Sequence, residues 1–202
     1  MIISYYGLGF VKIQAGDLVI ACNPTSKLPD RKTAKFGSHI ALVSLNDANY
    51  NDINLVSRGD GKPFVIDGPG EYEISGIFVR GFATPGPAGR INTIYLLTVD
   101  GARLVHLGTL AAVDLSAEAK EELGAIDILF VPIGGALDYK RAVQMVSDLE
   151  PKLVIPIHYS DEKTLANFLK EMGNSAKESV ESLSIKKKDL VEKTGEVVVI
   201  RS

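Results

Sequence analysis

One stretch decides the fold class, residues 125–159, which read AIDILFVPIGGALDYKRAVQMVSDLEPKLVIPIHY. Ile126 to Pro132 and Leu153 to Pro156 are almost wholly apolar, which is typical of strands that are buried on both faces. Tyr139 to Leu149, between them, has the pattern of a helix. A strand, a helix and a second strand in this order predict a parallel pair of strands that a helix covers.

Helices and one more strand flank this unit. Ser116 to Leu123 is predicted to be a helix with the Ser116 side chain as its N-cap. Thr164 to Met172 is predicted to be an amphipathic helix that ends at Gly173, and Glu196 to Ile200 a terminal strand. The helices are therefore concentrated in the last two-fifths of the chain.

The first part of the chain reads as short strands separated by Gly, Pro, Asn and Asp, which is typical of an antiparallel or mixed sheet. The predicted strands are Ile2 to Tyr6, Phe10 to Gln14, Leu18 to Ala21, His39 to Ser44, Phe64 to Ile66, Glu71 to Ile74 and Ile77 to Phe82. Thr93 to Val99 and Ala102 to His106 predict a hairpin, because Asp100-Gly101 suits a type I′ turn. Thr84 to Gly89 is predicted to be a loop, since its prolines disfavour a sheet interior.

Composition bounds the class of protein. The 202 residues are 46% hydrophobic and 23% charged, which predicts a folded chain, and we expect one domain over residues 1–202. The formal charge of -3 argues against a nucleic-acid partner, because no broad basic field exists. The lone cysteine, Cys22, is interpreted as an inert core thiol and favours a reducing compartment, so we expect a cytoplasmic protein. The chain start lacks signal-peptide features and the apolar runs are short, so no membrane partner is expected.

Four polar loops follow predicted strands, at Ser44 to Asn51, Phe82 to Asn92, His106 to Leu110 and Pro156 to Ser160. Such loops are where folds of this class place sites. Each loop also has a plain structural interpretation, because Asn and Asp form turns and a lone His at a strand end often packs or bonds to main chain. The residues alone therefore leave the function open.

Several short motifs, each present once, are spread along nearly the whole chain and together indicate a resemblance to a known family. They are Tyr5-Tyr6-Gly7, Lys12-Ile13-Gln14, Gly16-Asp17-Leu18, Asp67 to Ile74, Asn92 to Tyr95, His106-Leu107-Gly108, Val131 to Gly135, Glu150-Pro151-Lys152 and Ile155 to Tyr159. With these motifs the sequence resembles the metallo-β-lactamase fold superfamily, in its compact branch similar to L-ascorbate-6-phosphate lactonases and uncharacterised bacterial metal-dependent hydrolases. The resemblance implies an α/β (α+β) fold, a four-layer αββα sandwich of two mixed β-sheets with helices outside.

The resemblance also implies a two-metal centre, in which a bridging hydroxide attacks the substrate. Its ligands include a His-x-His-x-Asp-His pattern after an apolar strand. Leu45 stands here at the first histidine of that pattern, Asp47 at the second, Asn49 at the aspartate and Tyr50 at the last histidine. Asp47 alone among these four residues keeps a side chain suited to bind an ion.

The other ligand positions that the resemblance implies come later in the chain. Thr109 stands at the bridging aspartate, and the loop from Thr84 to Gly89 has no histidine. His158 is the one histidine ligand that remains, and His106 precedes the aspartate position, where it fits a supporting role. Zinc, which the family uses, is therefore not expected as a cofactor.

Two hypotheses follow from these replacements. The leading one is a catalytically degenerate protein, a pseudoenzyme with a degenerate zinc site that binds or assembles with a small molecule or a protein. In this hypothesis Leu45 and Tyr50 are buried near His158 and fill the former metal site. The resemblance also raises the expectation of a homo-oligomer.

The alternative hypothesis is a working hydrolase of a phosphorylated sugar, a lactone or an ester. Its site would be rearranged around Asp47, His106, Thr109 and His158, with or without a metal ion. A histidine beside a carboxylate is a minimal general-base pair, which makes such a reaction chemically feasible. Whether the chain is an enzyme stays open at the level of the sequence.

Overall fold

Two β-sheets form the centre of the molecule in a computed structural model that describes residues 1–28, 33–59, 61–113, 115–173 and 179–202. The strands are β1 (Ile2–Tyr5), β2 (Val11–Ala15), β3 (Leu18–Cys22), β4 (Ile40–Leu42), β5 (Phe64–Ile66), β6 (Gly70–Ile74), β7 (Ile77–Pro85), β8 (Ile91–Val99), β9 (Ala102–His106), β10 (Ile128–Pro132), β11 (Leu153–Ile157), β12 (Leu183–Ser184) and β13 (Glu196–Val197). The α-helices are α1 (Ala117–Leu123), α2 (Tyr139–Leu149) and α3 (Glu162–Glu171).

Both sheets are mixed. The first sheet has the strand order β12-β1-β2-β3-β4-β5, with antiparallel pairs up to β3 and parallel pairs from β3 to β5. The second has the order β13-β11-β10-β9-β8-β7-β6, antiparallel from β6 to β9 and parallel from β9 to β13. The predicted parallel pair is confirmed, with Ile128 opposite Leu153 in its register.

The apolar core divides into layers. One cluster, which includes Ile13, Tyr95 and Phe130, lies between the two sheets. A second cluster packs α2 and α3 on the outer face of the second sheet through residues such as Met145 and Phe168. The outer face of the first sheet is covered by a smaller cluster with a 3₁₀ turn at Ile53–Val56. The predicted two-sheet sandwich is confirmed, and its outer layer is thinner on the first sheet.

Local sequence explains the ends of these elements. Asp100 and Gly101 both have positive φ angles, 50° and 74°, as a type I′ turn between β8 and β9 requires. The Ser116 side chain accepts a hydrogen bond from the Ala119 N–H and caps α1 as predicted. The α2 helix matches its predicted bounds. Among the described residues, no helix is long and apolar enough to cross a membrane.

The prediction of a loop at Thr84 to Gly89 is wrong at its start, because β7 continues through Thr84 and Pro85. Thr84 pairs with Asn92 and Pro85 with Ile91 in the antiparallel register with β8. Proline is tolerated at this last position of the strand since its missing N–H ends the ladder there. The Pro85 carbonyl still accepts a hydrogen bond from the Ala111 N–H at 3.1 Å.

Strand ends from both sheets meet at one edge of the sandwich. Ser44 follows β4, and its carbonyl accepts a hydrogen bond from the Thr93 N–H of β8 at 2.7 Å, which joins the two sheets. His158 follows β11, and its N–H donates to the carbonyl of Leu8, in the turn before β2, at 2.7 Å. The loops that the sequence singled out are thereby collected at this edge.

Candidate active site

His106, the last residue of β9, is bonded to main chain through both ring nitrogens. The Gly108 N–H donates to Nδ1 at 3.1 Å, so Nδ1 carries no hydrogen and Nε2 donates to the Gly9 carbonyl at 3.1 Å. Burial lowers the pKa of His106 to about 4, against the opposing effect of the Gly9 hydrogen bond. His106 is therefore neutral, with neither lone pair nor N–H available to a substrate.

A buried polar cluster surrounds His106. The N–H and hydroxyl of Thr109 both donate to Asn92 Oδ1, at 2.7 and 3.1 Å, and Asn92 Nδ2 donates to the Leu107 carbonyl at 3.1 Å. A Cβ on Gly108, whose φ is +66°, would lie only 2.4 Å from Asn92 Oδ1 and 2.6 Å from Ser44 Oγ. Glycine is therefore required at this position, because any side chain would overlap the cluster.

Two polar atoms of this cluster lack a partner among the described residues. Asn23 Oδ1 accepts a hydrogen bond from the Ser44 N–H at 2.7 Å, whereas Asn23 Nδ2 and Ser44 Oγ are buried without a hydrogen bond. Asn23 also has a positive φ of 48°. Buried unpaired groups and unusual backbone angles are costly, and they concentrate at functional sites.

Tyr50 and His158 form a pair of side chains across the two sheets. The Tyr50 hydroxyl lies 2.7 Å from His158 Nε2, and the two rings are nearly stacked with centroids 5.8 Å apart. Tyr50 is 8% exposed and His158 is half-buried. The expectation that Tyr50 is buried beside His158 is confirmed.

Main chain holds the His158 ring in place. A Cβ on Gly135 would lie 3.2 Å from His158 Nδ1, so the ring packs directly on the glycine backbone. Burial lowers the pKa of His158, and hydrogen bonds to the main chain of His158 itself and Gly134 oppose that effect. In the tautomer with hydrogen on Nδ1, the His158 Nε2 lone pair accepts the Tyr50 hydroxyl hydrogen.

The backbone of His158 has an unfavourable conformation for its residue type. Its φ is 58°, and Leu8, whose carbonyl accepts the His158 N–H, has a φ of 49°. A left-handed conformation costs a residue with a Cβ roughly 1–2 kcal/mol. The fold thus tolerates strain on both sides of this hydrogen bond to hold the His158 ring against Tyr50.

A cavity of about 20 Å³ adjoins the pair, and Tyr50, Pro87, Thr109, Pro132 and His158 are among its lining residues. A space of roughly 10–15 Å³ is enough to hold one water molecule that has polar partners. The hydroxyl oxygens of Tyr50 and Thr109 supply such partners. Of the predicted site residues, the structure thus brings Tyr50, Thr109 and His158 together.

Asp47, Asn49 and Leu45 take other roles in the loop after β4. Asp47 accepts a hydrogen bond from the Asn49 N–H at 2.9 Å and one from Arg90 Nη1 at 2.7 Å, and these bonds hold the pKa of Asp47 below its usual range. Asn49 is exposed, and Leu45 is 2% exposed in the interior. The predicted grouping of Asp47 with the histidines is not what the structure shows, because Arg90 holds that carboxylate.

Sequence reasoning missed Arg90 and the role of Asn92. Arg90 follows a 3₁₀ turn at Pro87–Gly89, and its partner Asp47 lies 43 residues earlier, so sequence spacing carried no signal for the pair. Asn92 belongs to the motif Asn92 to Tyr95, which was interpreted as part of the fold and not of the site. Asparagine at the start of a buried strand is unusual, and that was the available signal.

The family described as Beta-lactamase superfamily domain matches residues 2–158, which include both sheets up to the end of β11 and the pair just described. The chain belongs to this family. The resemblance that the motifs indicate is therefore confirmed.

Relatives of this superfamily carry names that bear on activity. A UPF0173 metal-dependent hydrolase of Lysinibacillus sphaericus is 29% identical over 79% of this chain and 86% of its own length. Another, of Carboxydothermus hydrogenoformans, is 28% identical over 71% of this chain and 75% of its own length. A UPF0173 protein of Pyrococcus abyssi is 30% identical over 61% of this chain, and this chain matches 60% of its length.

Solved structures of the superfamily share the whole fold. A candidate Zn-dependent hydrolase of Thermotoga maritima has a TM-score of 0.77 and 27% identity, over 98% of this chain and 97% of that protein. A metallo hydrolase of Ignicoccus hospitalis has a TM-score of 0.70 at 16% identity, over 99% and 94% of the two chains. The second likeness shows the fold alone.

The names of these relatives overturn two expectations. The pseudoenzyme hypothesis, with its degenerate zinc site, is wrong, because the relatives are named metal-dependent hydrolases. The expectation of no metal cofactor is contradicted by the same names. The interpretation of the replacements at Leu45, Asn49, Tyr50 and Thr109 as a loss of function is therefore wrong.

A metal ion of the kind that these names imply needs several free ligand side chains at one place. Both ring nitrogens of His106 are bonded to main chain, and Asp47 is held by Arg90. Within the described ranges, no three His, Cys, Asp or Glu side chains are grouped so that they could hold an ion. The described residues do not fit a two-metal centre, and the reaction steps below involve side chains and water only.

Proposed function

We propose that this protein is a hydrolase of an ester, a lactone or a phosphorylated sugar, and that Tyr50 and His158 are its reacting groups. The observation that carries the proposal is the 2.7 Å contact between the Tyr50 hydroxyl and His158 Nε2 beside a cavity the size of one water molecule. The names of the relatives support hydrolysis as the reaction class.

The pair suits the removal of a proton from water. The Tyr50 hydroxyl donates its hydrogen to His158 Nε2, which leaves the lone pairs of the hydroxyl oxygen for a water molecule in the cavity. As that water attacks the substrate, its proton passes to the Tyr50 oxygen while the tyrosine's own proton moves to His158. The proton then returns along the same path to the leaving oxygen as the bond between that oxygen and the substrate breaks. General-base catalysis of this kind contributes typically 10²–10⁴-fold to a rate.

The protonation state of His158 favours this role. Its pKa is lowered by burial, so the neutral form that accepts a proton predominates at neutral pH. Burial also raises the pKa of Tyr50, which keeps the hydroxyl protonated until its hydrogen is needed. Activity is therefore expected to fall on acidification only below the ordinary histidine range.

An activity assay tests the proposal. Wild type, His158→Ala and Tyr50→Phe would be assayed against p-nitrophenyl acetate, γ-butyrolactone and p-nitrophenyl phosphate in buffer with zinc or manganese, because the relatives' names include metal dependence. We expect wild-type turnover of at least one substrate and a loss of about 100-fold or more in both variants.

His39→Ala is the matched control, because His39 is exposed at the opposite end of β4, where its ring Nδ1 accepts a hydrogen bond from the Val19 N–H at 3.1 Å. Turnover by His39→Ala at the wild-type rate is expected. Absence of turnover by wild type on every substrate, or a wild-type rate in His158→Ala, would contradict the proposal.

Other expectations stay predictions. The single domain over residues 1–202, a cytoplasmic location, a small-molecule or protein partner and a homo-oligomer follow from the sequence or the resemblance. Size-exclusion chromatography with light scattering would measure the oligomeric state directly. The activity proposal depends on none of them, because Tyr50 and His158 belong to the same chain.

A further inference from the structure

Arg90 lies at the tip of the β7–β8 hairpin, directly after the 3₁₀ turn at Pro87–Gly89. Its side chain is 45% exposed and bonds to Asp47 through Nη1 at 2.7 Å. A guanidinium has five N–H donors, and within the described part of the chain Asp47 takes up one of its nitrogens. Arg90 is thus fixed in position and still able to bind an anion.

A cleft of about 350 Å³ opens beside Arg90, lined by Ala83, Thr84, Pro85, Gly89, Arg90 and Ile91. This volume is within the range of small-molecule sites, about 300–1,000 Å³. Arg90 carries the one charge among these lining residues, and Ile91 is 66% exposed on the rim. The cleft therefore fits a molecule with one anionic group and an apolar body.

The same hairpin tip borders the reacting pair. Pro87, between the cleft residues Pro85 and Gly89, lines the water-sized cavity next to Tyr50 and His158. Arg90 and Asp47 also act on Tyr50 electrostatically and in opposite directions, since Asp47 raises and Arg90 lowers the pKa of Tyr50. A ligand in the cleft is therefore close to the pair at which we place the reaction.

We propose that Arg90 binds an oxyanion group of the substrate, a phosphate or a carboxylate, whose apolar body lies in the cleft along Pro85 and Ile91. Planar guanidinium groups bind both oxyanions through two parallel hydrogen bonds. Asp47 competes with the ligand for Arg90 and holds the guanidinium at the hairpin tip when the cleft is empty. The inference rests on the proposed function, because it names the substrate class of that site.

Binding can be measured apart from turnover. Hexyl phosphate, hexanoate and inorganic phosphate would be titrated into wild type, Arg90→Gln and Asp47→Asn by isothermal calorimetry, without any catalytic readout. We expect saturable binding of at least one hexyl compound to wild type and a loss of about tenfold or more in Arg90→Gln. Asp47→Asn removes the competing charge, so it should bind more tightly than wild type.

Arg80→Gln is the matched control, because Arg80 is also a partly exposed arginine that is paired with carboxylates, those of Glu71 and Glu122. Its affinity for the probes should equal that of wild type. The two hexyl probes distinguish a phosphate from a carboxylate, and inorganic phosphate shows what the apolar body contributes.

Two results would overturn the inference: Arg90→Gln binding as tightly as wild type, or no saturable binding to wild type at millimolar concentrations. Failure of the proposed function would look different. In that case the hexyl probe binds through Arg90 as expected, while His158→Ala and Tyr50→Phe keep wild-type turnover.

Discussion

His106 ends β9 and His158 follows β11, two strands of one sheet that β10 separates, and the structure gives the two histidines opposite surroundings. His106 is fully buried and both of its ring nitrogens are bonded to main chain, at Gly9 and Gly108. His158 is half-buried, and its Nε2 contacts a side chain, the Tyr50 hydroxyl. A histidine whose two nitrogens are taken up by the backbone can only support the fold, whereas one that shares a proton with another side chain can also react.

The largest expected difference between the two histidines is in stability. His106→Ala leaves a buried carbonyl and a buried N–H unpaired and opens a cavity, so we expect a loss of about 3–5 kcal/mol in the free energy of unfolding. His158→Ala removes the partner of the Tyr50 hydroxyl at a half-buried position, so the free energy of unfolding should decrease by about 1–2 kcal/mol. Urea unfolding of both variants measures this difference. Equal losses of stability would contradict the distinction between a structural His106 and a reacting His158.

Acidification should act mainly through His106. Its pKa in the folded protein is about 4, against 6.5 for an unperturbed histidine, so the unfolded chain takes up a proton at a higher pH than the folded one. Above pH 6.5 His106 is neutral in both states and costs no stability. As the pH falls from 6.5 towards 4, the free energy of unfolding decreases by about 3 kcal/mol in all.

The matched variant for the pH measurement is His106→Gln, which does not titrate and keeps a donor near the position of Nε2. Unfolding by urea at several pH values should show a shallower loss of stability between pH 6.5 and 4 in this variant than in wild type. If the free energy of unfolding falls equally steeply with pH in both proteins, His106 does not cause the loss of stability in acid.

Two buried tyrosines sharpen the comparison of structural and reacting groups. The Tyr95 hydroxyl shares its one hydrogen between the carbonyls of Val43 and Ile66, which lie 2.9 and 3.0 Å away between the sheets, whereas the Tyr50 hydroxyl contacts His158. Tyr95→Phe and Tyr50→Phe should each cost about 1–2 kcal/mol of stability. Turnover should be lost in Tyr50→Phe alone, and an equal loss in Tyr95→Phe would argue for a general structural effect.

The smallest effect is expected at the ion pair of Asp47 and Arg90. Their side chains are 22% and 45% exposed, and surface pairs of this kind contribute about 0.2–1 kcal/mol. Asp47→Asn should therefore change the free energy of unfolding by no more than that amount, and added salt should reduce the difference. A larger loss in thermal unfolding would mean that Asp47 supports the loop after β4 itself.

Most of the fold could be predicted from the sequence, because buried strands, helix caps and an Asp-Gly turn are local signals. Residues 125–159 alone predicted the parallel pair and its helix. The extension of β7 through Pro85 was not predictable, since it depends on the antiparallel pairing with β8, in which Pro85 lies opposite Ile91.

The site was predictable only in part. The resemblance pointed to Tyr50, Thr109 and His158, which line one cavity. It gave no information on which histidine nitrogen has a partner, because the Gly9 and Gly108 main-chain groups are placed by the fold. Arg90 was missed for the same reason, since its contact with Asp47 joins loops of different sheets.

Nuclear magnetic resonance of the histidine rings tests the central claim most directly, because the chain has only three histidines, His39, His106 and His158. With isotope-labelled rings, a pH titration should show His106 with hydrogen on Nε2 and a pKa of about 4, and His158 with hydrogen on Nδ1 and a lowered pKa. Tyr50→Phe should shift the His158 ring signals and its pKa and leave those of His106 unchanged. A His158 ring that does not respond to Tyr50→Phe, or a His106 that titrates near 6.5, would contradict the account.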